Sequence, residues 1–290
     1  MPTLQNNSST AQSPINGVVV ILLFDFLPQH RSWAWLKLMR GTSGFFKTIS
    51  GLLFAKIMGS GEGGGFGLRP SSTHQGLIFV FDGIQNASDY LKSQENQIYR
   101  EKSRESWQGI LQVNSCRGTW DGQGWQTKEL LKEVSNPDFN RDLLESQKPN
   151  QQFPPNEVEC ETQTTDSHHD PYVASLTRGS IRASKAVSFW RYAPPAQEDL
   201  HKAAGCELAM GLGEAPLLRQ CTFSLWRDTK SLIDYAQQGA HLKAIAAAKK
   251  NSFFTESMFV RMKVLHMHGD WMSKVFNYNS KLIAPYELCV

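Results

Sequence analysis

The chain has 290 residues, room for one large or two modest domains, and its 40% hydrophobic content is enough for a core. A net charge of +3 is too small to point to nucleic acid. The most apolar run, Gly17 to Phe24, is far shorter than the roughly 20 residues of a membrane-spanning helix, and it lacks the basic flank and cleavage site of a signal peptide. The five cysteines (Cys116, Cys160, Cys206, Cys221 and Cys289) are odd in number and form no CxxC pair, so they read as reduced thiols of an intracellular protein.

Residues 1–15 are polar and aperiodic and read as a disordered tail. A first half follows over 16–122. Its predicted elements are a strand over Gly17–Phe26, a helical face from His30 to Ser50 broken near Gly41 and Gly44, and a strand over Leu52–Met58. A glycine loop (59–67) comes next, then a strand over Gly76–Phe81, a long polar helix from Asn86 to Trp107, and a strand over Ile110–Val113. Residues 123–170 are rich in Gln, Asn, Glu, Ser, Thr and Pro and form a polar linker.

The second half, 171–275, repeats the order more loosely. Strands are expected over Tyr172–Ile181, Cys206–Gly211, Cys221–Trp226 and Met258–His266, with helix between Ala183 and Ala204 and again from Asp228 to Lys250. Residues 276–290 are left as a C-terminal tail. The predicted fold class is α+β, two ferredoxin-like βαββαβ halves packed by their sheets.

An internal echo supports the two halves. Met58-Gly59-Ser60-Gly61-Glu62 returns as Met210-Gly211-Leu212-Gly213-Glu214, Asp89-Tyr90 as Asp234-Tyr235, and Gly118-Thr119-Trp120 as Gly269-Asp270-Trp271. The offsets are 152, 145 and 151 residues. The first half is therefore longer in its glycine loop and the second in the helix that carries His241. Those two elaborations are the places to look for a site.

Gly59-Ser60-Gly61-Glu62-Gly63-Gly64 matches GxGxxG, but the continuation Gly65-Phe66-Gly67-Leu68-Arg69-Pro70 cannot open the helix that dinucleotide binding needs. Two readings are open for the loop, a surface connector or backbone that approaches a bulky ligand closely. His241 stands among alanines (Ala240, Ala244, Ala246, Ala247 and Ala248), which leave room for a planar group and are also good helix formers. His266 and His268 share a strand face without a further ligand placed to complete a metal site, and His168-His169-Asp170 lies at the end of the linker.

Read together, these phrases resemble the spheroidene monooxygenase family of bacterial carotenoid biosynthesis. The resemblance rests on Lys56 with Gly59-Ser60-Gly61-x-Gly63-x-Gly65-Phe66, Arg117-Gly118-x-Trp120, Leu176-Thr177-Arg178-x-x-Ile181-Arg182 and Phe189-Trp190. It continues through Gly211-x-Gly213-Glu214-x-Pro216, Gln220-x-Thr222-Phe223-Ser224-x-Trp226, and His241 with Ala244-Ile245. The linker is longer than the family's usual one.

The resemblance implies a haem-containing monooxygenase that oxygenates an acyclic carotenoid at a terminal allylic carbon, with electrons from a reduced ferredoxin-type donor. It implies His241 as the iron ligand and Arg178 and Arg182 as partners of the haem propionates. The loop residues Gly59, Ser60, Gly61, Gly63, Gly65 and Phe66 would lie over substrate or the distal face. By analogy with haem proteins of the dimeric α/β-barrel type, the two halves would form that barrel within one chain. The implied setting is cytoplasmic, with peripheral contact at the inner membrane. Two other readings stand beside this one, a non-catalytic haem or apolar-ligand binding protein and a cofactor-free α/β-barrel monooxygenase.

Overall fold

The computed structural model describes residues 14–65, 69–126, 172–215, 217–280 and 283. The expected N-terminal tail up to residue 13, the linker from 127 onward, Phe66, Cys160 and Cys289 lie outside the described residues.

The first half runs β1 (Ile15–Asn16), β2 (Val18–Phe26), α1 (Arg31–Arg40), α2 (Phe45–Thr48), β3 (Leu52–Gly61) and β4 (Pro70–Phe81). It continues through α3 (Ile84–Lys92), α4 (Gln94–Glu101), β5 (Ser103–Gly118) and β6 (Trp125–Gln126). The second half runs β7 (Val173–Ile181), α5 (Ala186–Phe189), α6 (Ala193–Lys202), β8 (Cys206–Ala215) and β9 (Arg219–Trp226). It ends with α7 (Thr229–Ala236), α8 (Gly239–Asn251), β10 (Phe254–Trp271) and β11 (Lys274–Asn279).

Two expected long helices are each split. The Asn86–Trp107 prediction gives way at Ser93, whose hydroxyl accepts from the Asn96 backbone N–H at 3.3 Å and caps α4, while Trp107 belongs to β5. The Asp228–Lys250 prediction breaks before Gly239, which has φ +61°. There Asp199 of α6 takes the Ala240 N–H at 2.7 Å and caps α8. In both cases a polar side chain satisfies a free backbone donor better than continued helix would.

The strands close into an eight-stranded antiparallel barrel. The order around it is β10, β5, β2, β4, β3, β8, β9, β7 and back to β10, with β11 added on the far half of β10. In each half the four strands lie in the spatial order fourth, first, third, second. The halves meet along the long β5–β10 pairing and at one bridge between β3 and β8, Gly59 opposite Gly213. The two sheets are thus joined by their edges as well as by side chains between them.

The barrel is filled from both halves. Val19, Ile21, Ile78 and Val80 meet Leu176, Met210, Phe223, Leu225 and Met262 inside it. The Trp107 and Phe223 ring centroids are 5.2 Å apart. Packing is tight enough that a Cβ on Gly76 would come within 2.6 Å of Leu212, a residue of the other half. β2 is apolar from Val18 to Phe24 because both its faces are covered, Val19, Ile21 and Leu23 by the barrel interior and Val18, Val20, Leu22 and Phe24 by the helices.

Candidate functional site

The outer faces of the two halves are built differently. In the first half, Val20, Leu22, Phe24, Leu77, Phe79 and Phe81 all lie buried beneath α1, α3 and α4. In the second half, alternation sends Leu176, Met210 and Phe223 into the barrel and turns Thr177, Gly211 and Thr222 outward. These three face the helix layer side by side, since Thr177 pairs with Thr222 and Thr222 with Gly211. Ser175 and Ser224 form the next row and Gly179 opposite Gln220 the one beyond. Large buried side chains bound this outer layer at both ends, Val173, Leu200, Trp226 and Leu232 at one, and Ile181 and Phe253, with Phe254 over Gly179, at the other.

Helix α8 belongs to the helix layer of this half. It packs chiefly on α6 and α7, and among its residues only Ala247 is buried. Both its ends are fixed, one by the Asp199 cap and the other by the Phe253 N–H, which donates to Ala248 O at 3.3 Å.

His241, in the first turn of α8, lies 4.7 Å from the Tyr235 ring, and Tyr235 lies 5.2 Å from Trp226. The imidazole is partly buried, and among the described residues neither ring nitrogen has a hydrogen-bond partner. Burial lowers its pKa from the ordinary value, so it is neutral at neutral pH and keeps a lone pair on one nitrogen. A neutral imidazole without a hydrogen-bond partner, on an alanine-rich helix of the half whose outward strand positions are small, has the donor chemistry that the metal of a planar macrocycle would need. The residues present fit such a group.

Arg178 does not join His241. It points into the end of the barrel, on the opposite side of the sheet, and is 2% exposed. Its guanidinium donates to Glu256, stands 3.9 Å from Asp121 and from Glu214, and lies 5.4 Å from the Trp120 ring. The sequence spacing put Arg178 and Arg182 on one strand face, but β7 ends at Ile181. Arg182 lies beyond it, exposed, and donates through Nε to Ser252 O at 3.1 Å, at the C-terminal end of α8. Of the two arginines, only Arg182 stands on the α8 side.

The glycine loop also begins later than expected. Gly59, Ser60 and Gly61 are strand residues of β3, and only Glu62–Gly64 leave it as a short turn. Ser60 Oγ donates to Gly211 O at 2.5 Å and Gly59 pairs with Gly213, so the repeated phrases lie against each other and close the barrel. Gly63, at φ +66°, has open space where a Cβ would stand. Gly64 faces His74, whose Nδ1 lies 2.9 Å from Ser71 Oγ and 3.5 Å from buried Asp25. His266 is buried, with its Nδ1 2.6 Å from Asn279 Oδ1 of β11. No group of three metal-ligating side chains occurs among the described residues.

Sequence reasoning missed Thr177, Thr222, Ser175 and Ser224 as lining residues. Their signal was present as alternation, hydroxyls at the positions where the first half has Val, Leu and Phe.

The chain is 39% identical over 258 residues to a spheroidene monooxygenase of Rubrivivax gelatinosus, covering 89% of this chain and 86% of that protein. The chain belongs to the spheroidene monooxygenase family, a family of oxygenases. A second family member, from Rhodobacter capsulatus, is 30% identical over 76% of this chain and 79% of its own length. No family model matches the chain. Among solved structures, an aldoxime dehydratase aligns with 90% of this chain and 89% of its own at a TM-score of 0.49 and 13% identity. SnoaB, a cofactor-independent oxygenase from Streptomyces nogalater, aligns with 31% of this chain and 90% of its own at a TM-score of 0.26 and 13% identity.

Proposed function

We propose that this member of the spheroidene monooxygenase family is a haem-dependent monooxygenase that oxygenates an acyclic carotenoid at a terminal allylic carbon. In this reading each half is a ferredoxin-like unit, and the pair forms within one chain the barrel that dimeric α/β-barrel proteins form from two. The observation that carries the reading is the contrast between the halves. One outer face is filled by aromatic and aliphatic side chains, while the other has small residues at its centre and belongs to the half whose helix α8 bears a partly buried neutral histidine.

Bound haem would supply the activation of dioxygen, for which the fold provides the setting. His241 would hold the iron through one ring nitrogen. Thr177, Thr222 and Gly211 would admit the flat group, and the two threonine hydroxyls would offer the nearby polar contacts. Arg182, at the other end of α8, is one cation on this side that would meet an anionic substituent. Phe259, 44% exposed and paired with Thr177 in the sheet, extends this outer face with an apolar surface suited to a polyene. The electrons would come from a reduced ferredoxin-type protein, and the enzyme would work in the cytoplasm against the inner membrane, where a polyene dissolves.

The test is the visible spectrum and haem content of the purified protein and of His241→Ala, each beside its circular dichroism. The expected result is a Soret band that the variant loses or shifts while its dichroism is unchanged. A wild-type protein that binds no haem, or a variant with unchanged haem content and spectrum, would overturn the assignment. Turnover of an acyclic carotenoid with reduced ferredoxin tests the reaction itself.

A further inference from the structure

Helix α1 buries one side and leaves an apolar side bare. Trp33 packs on Phe26 and Tyr99, Ala34 is fully buried with its carbonyl accepting from Gln75 Nε2 at 2.8 Å, and Leu38 lies over Gly59. The opposite side carries Trp35, Leu36 and Met39, exposed by 60%, 44% and 58%. At positions i, i+1 and i+4 these three form one continuous apolar strip. Isolated exposed hydrophobics are common, but three large ones on a ten-residue helix are not explained by the fold.

The charges that the helix itself carries are all of one sign. Between Asp25 and Glu62 the sequence has no carboxylate and includes Arg31, Lys37, Arg40, Lys47 and Lys56. Lys56 is taken up by Asp121 at the barrel end, and Lys37 lies 3.7 Å from Glu95. Arg31, Arg40 and Lys47 are exposed and have no carboxylate partner among the described residues. Tryptophan, leucine and methionine flanked by arginine and lysine is the composition of a helix that lies in the plane of a membrane interface, with apolar side chains among the acyl chains and cations at anionic headgroups. No helix among the described residues is long and apolar enough to cross a membrane.

We infer that the exposed face of α1 docks the enzyme on an anionic lipid bilayer. The placement serves the site as well. Leu38 covers Gly59, which pairs with Gly213 of the second half, so α1 sits at the seam where the first half meets the sheet of the proposed haem site. The inference gives the membrane contact of the reading above a location, yet it rests on residues outside the α8 site.

The experiment is co-sedimentation of the full chain with vesicles of phosphatidylcholine alone and of phosphatidylcholine with phosphatidylglycerol, without carotenoid. The wild-type protein is expected to bind the anionic vesicles and to bind the neutral ones much less. The triple variant Trp35→Ser, Leu36→Ser, Met39→Ser and the double variant Arg31→Glu, Arg40→Glu are each expected to lose at least about tenfold in binding, with thermal midpoints unchanged. Turnover of carotenoid dispersed in detergent should persist in both, so a failed docking surface and a failed oxygenase reading give different results. Wild-type protein that binds neither vesicle, or a triple variant that binds as well as wild type, would overturn the inference. So would a wild-type dimer, seen by light scattering, that the triple variant turns into a monomer, because the strip would then be a contact between copies.

Discussion

Glu105 and Glu256 stand 151 residues apart in sequence and perform one task at opposite ends of the barrel. Glu256 accepts from the Gly122 N–H at 2.8 Å and from Thr119 Oγ1 at 3.0 Å. Glu105 accepts from the Met272 N–H at 3.0 Å and the Ser273 N–H at 3.3 Å. Each carboxylate begins a long strand of one half and holds the tight turn that ends the long strand of the other. The two strands pair so that Gly118 opposes Met258 and Gly269 opposes Trp107, a relationship that an internal two-fold axis produces.

The two glutamates should nonetheless differ in cost when removed. Glu256 also receives the buried Arg178, whereas Glu105 serves only a turn at the surface. Glu256→Ala is expected to cost about 3 kcal/mol, because it leaves a buried guanidinium short of its main partner, and Glu105→Ala about 1 kcal/mol. Urea denaturation of the two variants checks the difference. Burial would raise the Glu256 carboxyl, but the bonds from Gly122, Thr119 and Arg178 outweigh it and hold the pKa below the ordinary 4.5. Its stabilisation is therefore present above that value and lost as pH falls through the lower folded one, and Glu256→Gln should remove this part of the acid sensitivity.

The turns themselves offer a second comparison. Asp121 and Gly122 have φ of 52° and 79°, and Met272 and Ser273 have φ of 51° and 64°. Two-residue hairpin loops with both φ positive favour Asn-Gly and Asp-Gly. The first turn has the favoured pair and the second does not. Met272→Asn with Ser273→Gly should stabilise the protein by about 1 kcal/mol, read as a raised thermal midpoint. An unchanged or lowered midpoint would show that Met272 is held for another reason.

Acid should weaken the fold from the histidine range downward. Burial lowers the pKa of His74, His241 and His266 below the ordinary 6.5, with Asp25 opposing the shift at His74 and the bond with Asn279 opposing it at His266. A base with a lowered folded pKa binds more protons when unfolded. Stability is then full above 6.5 and declines as pH falls below it. Denaturation of His241→Gln across this range should give a shallower decline than wild type, and an identical slope would mean that His241 is not desolvated as its burial implies.

Filling the small outward positions of the second half should separate folding from cofactor binding. Thr177→Leu with Thr222→Leu places apolar bulk where the first half already has Leu and Phe. Stability should stay level or rise by about 1 kcal/mol, while haem uptake falls below detection. Haem titration beside a denaturation curve measures both, and full uptake by this variant would move the site away from the Thr177–Thr222 face.

The sequence by itself determined the two-half organisation, most strand positions and the family, because these rest on alternation, punctuation by glycine and proline, and ordered short phrases. It also placed His241 on a helix, since the alanines around it leave no other reading. It could not tell which side of a strand would face the barrel interior and which the helices. Arg178 and Thr177 are neighbours in sequence, yet one plugs the end of the barrel and the other turns to the outer side of the sheet. Only closure of the sheet decides that, and closure depends on pairings such as Gly59 with Gly213 that join residues far apart in the chain. The echo of Met58–Glu62 in Met210–Glu214 was visible as a repeat, but that the two copies touch follows from the two-fold arrangement of the halves. The expected C-terminal tail from residue 276 begins instead as strand, Lys274–Asn279 beside β10, because a six-residue strand carries little periodicity of its own and is fixed by the partner it pairs with.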